Sequence, residues 1–211
     1  MGAQPRDVAR EALERRITGG DLPPSRRLDE QRLAGDLGVD RAAIREALAG
    51  LERDGLARAD GDGFVVAPLD GAWLREAYPI ALLLEGLAVR SAPPLPDRAL
   101  DRLRAINDEL RVLGPADARL AAERDFDFHD ELVAACGNEH LLETVRPMKR
   151  QLIRYERSYM GDAAVLRRSA AMHDEIVDHL ARGDHESAAI VVEENFRSAL
   201  PSLLGHLEAD A

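Results

Sequence analysis

Apolar residues recur along the chain with two different rhythms. Up to about residue 55 they come in short helical runs: Val8, Ala12 and Ile17, a break at GGDLPPS, then Leu28, Leu33 and Leu37, then Val39, Ile44, Leu48 and Leu51. The stretch LARADGDGFVVAP follows. Two short apolar runs there flank DGDG, and Asp-Gly pairs supply the positive φ angles that a tight hairpin needs. Pro68, in APLDG, marks a connector. From Trp73 onward no strand alternation is visible, and apolar residues return every three or four positions. Six helices are predicted, over 72–91, 96–113, 116–136, 139–160, 162–182 and 184–208, separated by APPLP, LGPAD, CGN, MGD and RGD. Pro79 and Pro147 fall inside two of them and are expected to kink or locally end them.

The expected fold class is therefore mainly α. Residues 1–68 form a winged helix-turn-helix of three helices plus a β-hairpin, and residues 69–211 form an all-α antiparallel bundle of about six helices. Within LAGDLGVDRAAIREALAGLERDGL, a small residue at Ala34, a bend at Gly38 and a branched anchor at Ile44 suit two helices crossing at a tight turn. Asp40 caps the second helix, whose stripe of Ile44, Leu48 and Leu51 faces the core. Arg41 and Arg45 share its other side, where they can reach guanine edges or phosphates in a major groove. Taken singly, two arginines on a helix are usually solvated charges; the order helix, helix-turn-helix, hairpin is what favours a nucleic-acid role.

Charge opposes that reading at first. The 211 residues hold 28 basic against 39 acidic side chains, a net of −11, whereas DNA binding relies on basic side chains that displace counterions. The acid is concentrated in the second part: residues 1–70 carry 11 Arg and 14 Asp plus Glu, a net of −3. Of the basic residues 27 are Arg and one, Lys149, is Lys, which reads as coding bias. No apolar run reaches the roughly 20 residues of a membrane span, and the N-terminus lacks the apolar middle of a secretory signal, so a cytoplasmic protein is expected. One cysteine, Cys136, excludes an internal disulfide and a cysteine-rich zinc cluster.

In the second part, RDFDFHDELVAAC places Asp125 and His129 four apart, on one helical face with Leu132, Val133 and Cys136. His173 heads Ile176, Val177 and Leu180 in the same way, and Asn195 follows Val191 and Val192. Three helices thus turn polar groups inward, where each needs a partner. If they meet, one carboxylate, two imidazoles and an amide suit zinc, nickel, manganese or iron(II). Separate hydrogen bonds would satisfy them equally well. Arg150, Arg154 and Tyr155 lie on neighbouring turns and are candidates to hold an anionic effector, or else a solvated face with Arg157. His140, His179, His185 and His206 read as surface or helix-end residues.

Residues 5–68, through GDLPPSRRL, LAGDLGVDRAAIREAL and LERDGLARADGDGFVV, resemble the N-terminal domain of GntR-type transcription regulators. Residues 72–208, through DFDFHDELVAACGN and MHDEIVDHLARGD, resemble the helical FCD domain of the FadR-like branch of that family. The first resemblance implies that Arg41 and Arg45 touch DNA, with Arg27 and the wing glycines Gly61 and Gly63 beside them. It also implies a homodimer on a palindromic double-stranded operator whose half-sites lie about one helical turn apart. Acid at Asp40 and Asp62, where the family has Ser or Thr and often Arg, brings negative charge near phosphate, Ala42 and Ala43 stand where it has Thr-Pro, and together these departures imply a weak, strongly salt-dependent operator interaction. The second resemblance implies a divalent metal held by Asp125, His129 and His173, with Asn195 where His is usual. It further implies a small organic acid as effector and, by default, a repressor. An Arg common four residues before the first-helix glutamate is Ala81 here, preceding Glu85. Two other functions remain open: a metal-dependent enzyme and a metal-free helical binding module, each with a vestigial first domain.

Overall fold

In the computed structural model residues 4–209 are described, Ser158 without its side chain. The chain divides into two compact units, Met1–Leu69 and Asp70–Ala211.

The first unit runs α1 (Pro5–Thr18), β1 (Arg27–Leu28), α2 (Glu30–Leu37), α3 (Arg41–Arg53), β2 (Ala57–Asp60) and β3 (Gly63–Val66). Caps define the helix-turn-helix. Asp29 accepts hydrogen bonds from the Gln31 and Arg32 amides to open α2, Gly38 ends it in the left-handed region at φ 66°, and Asp40 accepts from Ala43 N to open α3. Leu13, Ile17, Ile44, Leu48, Leu51, Leu56 and Val66 fill the core between helices and sheet. The strands are antiparallel in the order β1-β3-β2, with Asp60 opposite Gly63 at the hairpin turn. The wing is thus three-stranded instead of a bare hairpin. β1 has only two residues, too few to show an alternation, and it exists because β3 offers a paired edge to Arg27 and Leu28.

The second unit is helical throughout: α4 (Gly71–Ser91), α5 (Asp97–Arg111), α6 (Ala118–Ala134) after a single 3₁₀ turn at Pro115–Asp117, α7 (Glu139–Tyr159), α8 (Ala163–Ala181) and α9 (His185–Ala209). Asp70, Asn138 and Asp162 cap α4, α7 and α8 through their side chains. α4 packs along α9 and also meets α6 and α7, while α8 lies between α5 and α9. Pro79 and Pro147 do not end their helices; α4 and α7 run through both. A proline forfeits one i→i−4 bond, and in α4 the apolar face around Pro79 is buried on both sides, at Leu74, Ala77, Tyr78, Ala81 and Leu82. No helix of the described residues is long and apolar enough to cross a membrane.

Candidate functional site

Two sites emerge, one in each unit. In the first unit Ile44, Leu48 and Leu51 of α3 are fully buried, which forces Arg41 and Arg45 outward; their side chains are 66% and 53% exposed. The hairpin tip stands beside them. Arg45 Nη2 donates to the Asp62 carbonyl at 3.3 Å, and Arg27 Nη2 donates to the Asp62 carboxylate at 3.0 Å with Asp60 at 3.6 Å. Gly61 adopts φ 61°, as the turn requires, and a Cβ on Gly63 would stand 3.4 Å from the Arg27 guanidinium. Groups of α3 and of the hairpin tip therefore share one surface, and the acid at Asp62 is paired with Arg27.

In the second unit Asp125, His129 and His173 are all buried, and one possible ligand atom from each lies within 4.8 Å of the others. The surroundings decide which nitrogens are available. Glu85 Oε2 lies 2.7 Å from His129 Nδ1, so that nitrogen carries a proton and donates it. Asn107 donates through Nδ2 to Ala170 O at 2.9 Å and Asp174 Oδ1 at 2.8 Å, which turns its Oδ1 toward His173 Nδ1 at 3.1 Å. His173 Nδ1 is thereby also a donor. Both Nε2 atoms face inward, 3.4 Å apart, and Asp125 stands 3.5 Å from His173 Nε2 while accepting from Ser169 Oγ.

Two imidazole lone pairs at that separation repel each other unless a proton or a cation lies between them. Burial lowers the tendency of His129 to take a proton, but Glu85 outweighs it and raises its pKa; burial and then the charge on His129 lower that of His173. A proton between the two rings is thus favoured on His129 over His173. A divalent ion could replace it. One carboxylate oxygen and two imidazoles whose outer N–H groups are committed to Glu85 and Asn107 form a donor set suited to zinc, nickel or manganese. Asn195 sits on α9 next to Phe196, whose ring packs 5.1 Å from His129, and its amide nitrogen is buried without a partner.

The same centre includes groups outside the sequence-based set. The chain's single lysine is buried: Lys149 Nζ lies 3.1 Å from Glu85 Oε1 and 5.2 Å from the Phe126 ring centroid. Its signal in the sequence was its rarity, one Lys among 27 Arg, which composition alone attributes to coding bias. Glu85, Asp125, Phe126, His129, Lys149, Leu152, Glu156 and Phe196 line a cavity of about 10 Å³, room for one water or ion. Arg150, Arg154 and Tyr155 are not among those lining residues. Tyr155 instead stacks on Trp73 at 5.6 Å, its hydroxyl accepting from Asp70 N at 3.0 Å, and Arg154 is buried.

Burial, and next the Asp125 carboxylate, push the Glu156 carboxyl up to about 8. A raised carboxyl contributes stability that is fully present below its unfolded value near 4.5 and is lost as pH rises through about 8. Glu156→Gln is therefore expected to flatten the fall in thermal stability between pH 5 and 8, and to melt at least about 2–4 °C above the parent at pH 8.5. Parallel pH profiles for the two proteins would show that Glu156 does not carry this burden.

Comparison with known proteins bears on both sites. Residues 5–66 match the family described as bacterial regulatory proteins, gntR family, and residues 76–198 match the FCD domain. The chain is 33% identical over 188 residues to the Nta operon transcriptional regulator of Aminobacter aminovorans, covering 86% of this chain and 88% of that one. It is 29% identical over 217 residues to the transcriptional regulator LutR of Bacillus subtilis, covering 91% and 98%. Among solved structures, a GntR transcriptional regulator from Rhodococcus sp. RHA1 superposes with a TM-score of 0.80 at 21% identity, over 95% of this chain and 97% of that chain. McbR/YncC from E. coli does so with a TM-score of 0.81 at 19% identity, over 96% and 98%.

Proposed function

From the premise that the chain belongs to the gntR family of bacterial regulatory proteins and carries a C-terminal FCD domain, we propose how this transcription regulator works. It binds a palindromic operator as a homodimer, in the cytoplasm, and represses until a small organic acid enters the FCD domain. Arg41 and Arg45 of each copy read base edges in a major groove, with Arg27 and the wing turn at Gly61 and Gly63 against the backbone. The observation that carries this reading is the exposure of both guanidiniums on one face of α3, beside the hairpin tip and opposite the fully buried stripe. On α4 the exposed Ile80, Leu83 and Leu87 make an apolar stripe at helical spacing, which supports a second copy as the partner there.

A divalent metal, held by Asp125, His129 and His173 with the Asn195 amide as a weaker fourth group, would supply positive charge and open coordination positions for a carboxylate. Lys149 is the cation beside that place, and it supplies counter-charge that Arg150 and Arg154 are not positioned to give within the cavity lining. The cavity holds only one water-sized object, so a larger acid enters by displacing lining side chains. That displacement is the differential contact through which occupancy in the helical domain changes operator affinity. The enzyme reading has no support from the relatives, which are regulators.

The test is to select duplexes from a random-sequence library with the full chain and then add small hydroxy- and keto-acids, with and without manganese or zinc. Enrichment of a palindromic sequence, with release by an acid, is the expected result. No enrichment over the starting library would remove the DNA-binding reading; enrichment without release by any acid would remove the effector reading alone.

A further inference from the structure

Glu30 is a buried carboxylate on a surface built for arginines. It is the first residue of α2, and although it stands at a helix start, where acids are usually solvated, it is only 6% exposed. Its two oxygens are divided between two residues one turn apart on α3. Oε2 takes the Arg41 Nε at 2.7 Å, and Oε1 stands 3.3 Å from the Arg45 Nε. A buried carboxylate is costly unless paired, and here one anion serves two cations, so the trio keeps a net positive charge.

The atoms used matter as much as the pairing. Both contacts are made through Nε, the inner nitrogen, so the Nη groups that form the bidentate fork toward guanine O6 and N7 stay outside the pairing with Glu30. Arg45 Nη2 touches the Asp62 carbonyl of the wing, which ties the same plane to the hairpin. Arginine is a long side chain with many rotamers, and fixing it costs entropy on binding unless it is fixed beforehand.

We propose that Glu30 is the positioning residue of the DNA-reading surface, pre-orienting the Arg41 and Arg45 guanidiniums for base recognition at the cost of some phosphate attraction. This rests on the reading of α3 as the helix that docks in the groove. Glu30 sets specificity more than affinity: it holds the forks in register for one sequence, while its negative charge weakens binding to every duplex alike. Loss of its charge frees both arginines and adds one positive charge to the surface.

The experiment compares Glu30→Gln and Glu30→Asp with the parent as full-length proteins, on the duplex selected by the parent and on a scrambled duplex of equal composition. Thermal melts followed by circular dichroism check folding. Glu30→Gln is expected to lose about tenfold or more on the selected duplex and to hold or tighten its grip on the scrambled one. Glu30→Asp keeps the charge but withdraws it by a methylene; it is expected to lose discrimination as well. Equal losses on both duplexes, or selected-duplex affinity within about twofold of the parent for both variants, would overturn the proposal. Arg41→Ala and Arg45→Ala are run beside them. If these leave selected-duplex binding intact, it is the docking of α3 that fails, and Glu30 has nothing to position. Should neither Glu30 variant fold, the Nε–H signals of Arg41 and Arg45 in the free parent decide by nuclear magnetic resonance. Slow exchange with water supports a pre-held pair, and fast exchange at both overturns it.

Discussion

Replacing Arg45 with alanine is expected to weaken binding to a selected operator by about 1–3 kcal/mol, roughly 5- to 150-fold, while the melting temperature of the protein changes little. The side chain is half exposed and its contacts are with Glu30 and the Asp62 carbonyl, so removing it opens no cavity in the core of Ile44, Leu48 and Leu51. Arg41→Ala should act alike. If the lost contact is to a base, the loss is confined to the selected sequence and the salt dependence of what remains is nearly unchanged. If it is to a phosphate, both duplexes weaken and the slope of affinity against salt falls by about one. Unchanged affinity on every duplex would mean that α3 does not meet DNA.

The second large effect concerns the buried polar centre. Chelator-treated protein, supplied with zinc, nickel or manganese at about 100 times its dissociation constant, should gain about 2.7 kcal/mol, because a metal held only by the folded chain stabilises it by mass action. For a chain of this size that is about 5–10 °C in melting temperature. His129→Ala and His173→Ala should each abolish the gain, and Asn195→His should enlarge it by exchanging an amide for an imidazole. The gain should also be larger at pH 8 than at pH 6. Glu85 favours the proton on His129, and a metal at Nε2 has to displace it. A protein that contains no metal and melts at the same temperature with and without these ions would show that the Nε2 pair holds only a proton.

Much of the fold could be read from local pattern. Asp70, Asn138, Asp162 and Asp40 are capping residues at the starts of their helices, and Gly38, Gly137 and Gly183 take left-handed conformations at or just beyond helix ends, so the breaks fall where these residues stand. The strand at Arg27 and Leu28 was not visible, because two residues carry no period. The helices expected over 72–91 and 139–160 are present as α4 and α7, and the local end that Pro79 and Pro147 could have imposed does not occur, because packing overrides the loss of one backbone hydrogen bond.

For the sites, the sequence by itself determined which side chains turn inward or outward. Helical periodicity puts Asp125 and His129 on one buried face, His173 at the head of another, and Arg41 and Arg45 on the face opposite Ile44, Leu48 and Leu51. Only the tertiary structure decided what these groups meet. Glu85 lies 44 residues from His129, Asn107 lies 66 from His173, and Lys149 comes from a fifth helix, so no spacing along the chain encodes their convergence. Glu30 and Arg41 are 11 residues apart across a turn, close in sequence yet joined only because α2 and α3 cross. Periodicity is a property of one backbone segment and is written into its residue order. The protonation of His129, the tautomer of His173 and the hold on two arginines depend on electric fields and hydrogen bonds between segments, and these exist once the helices have packed.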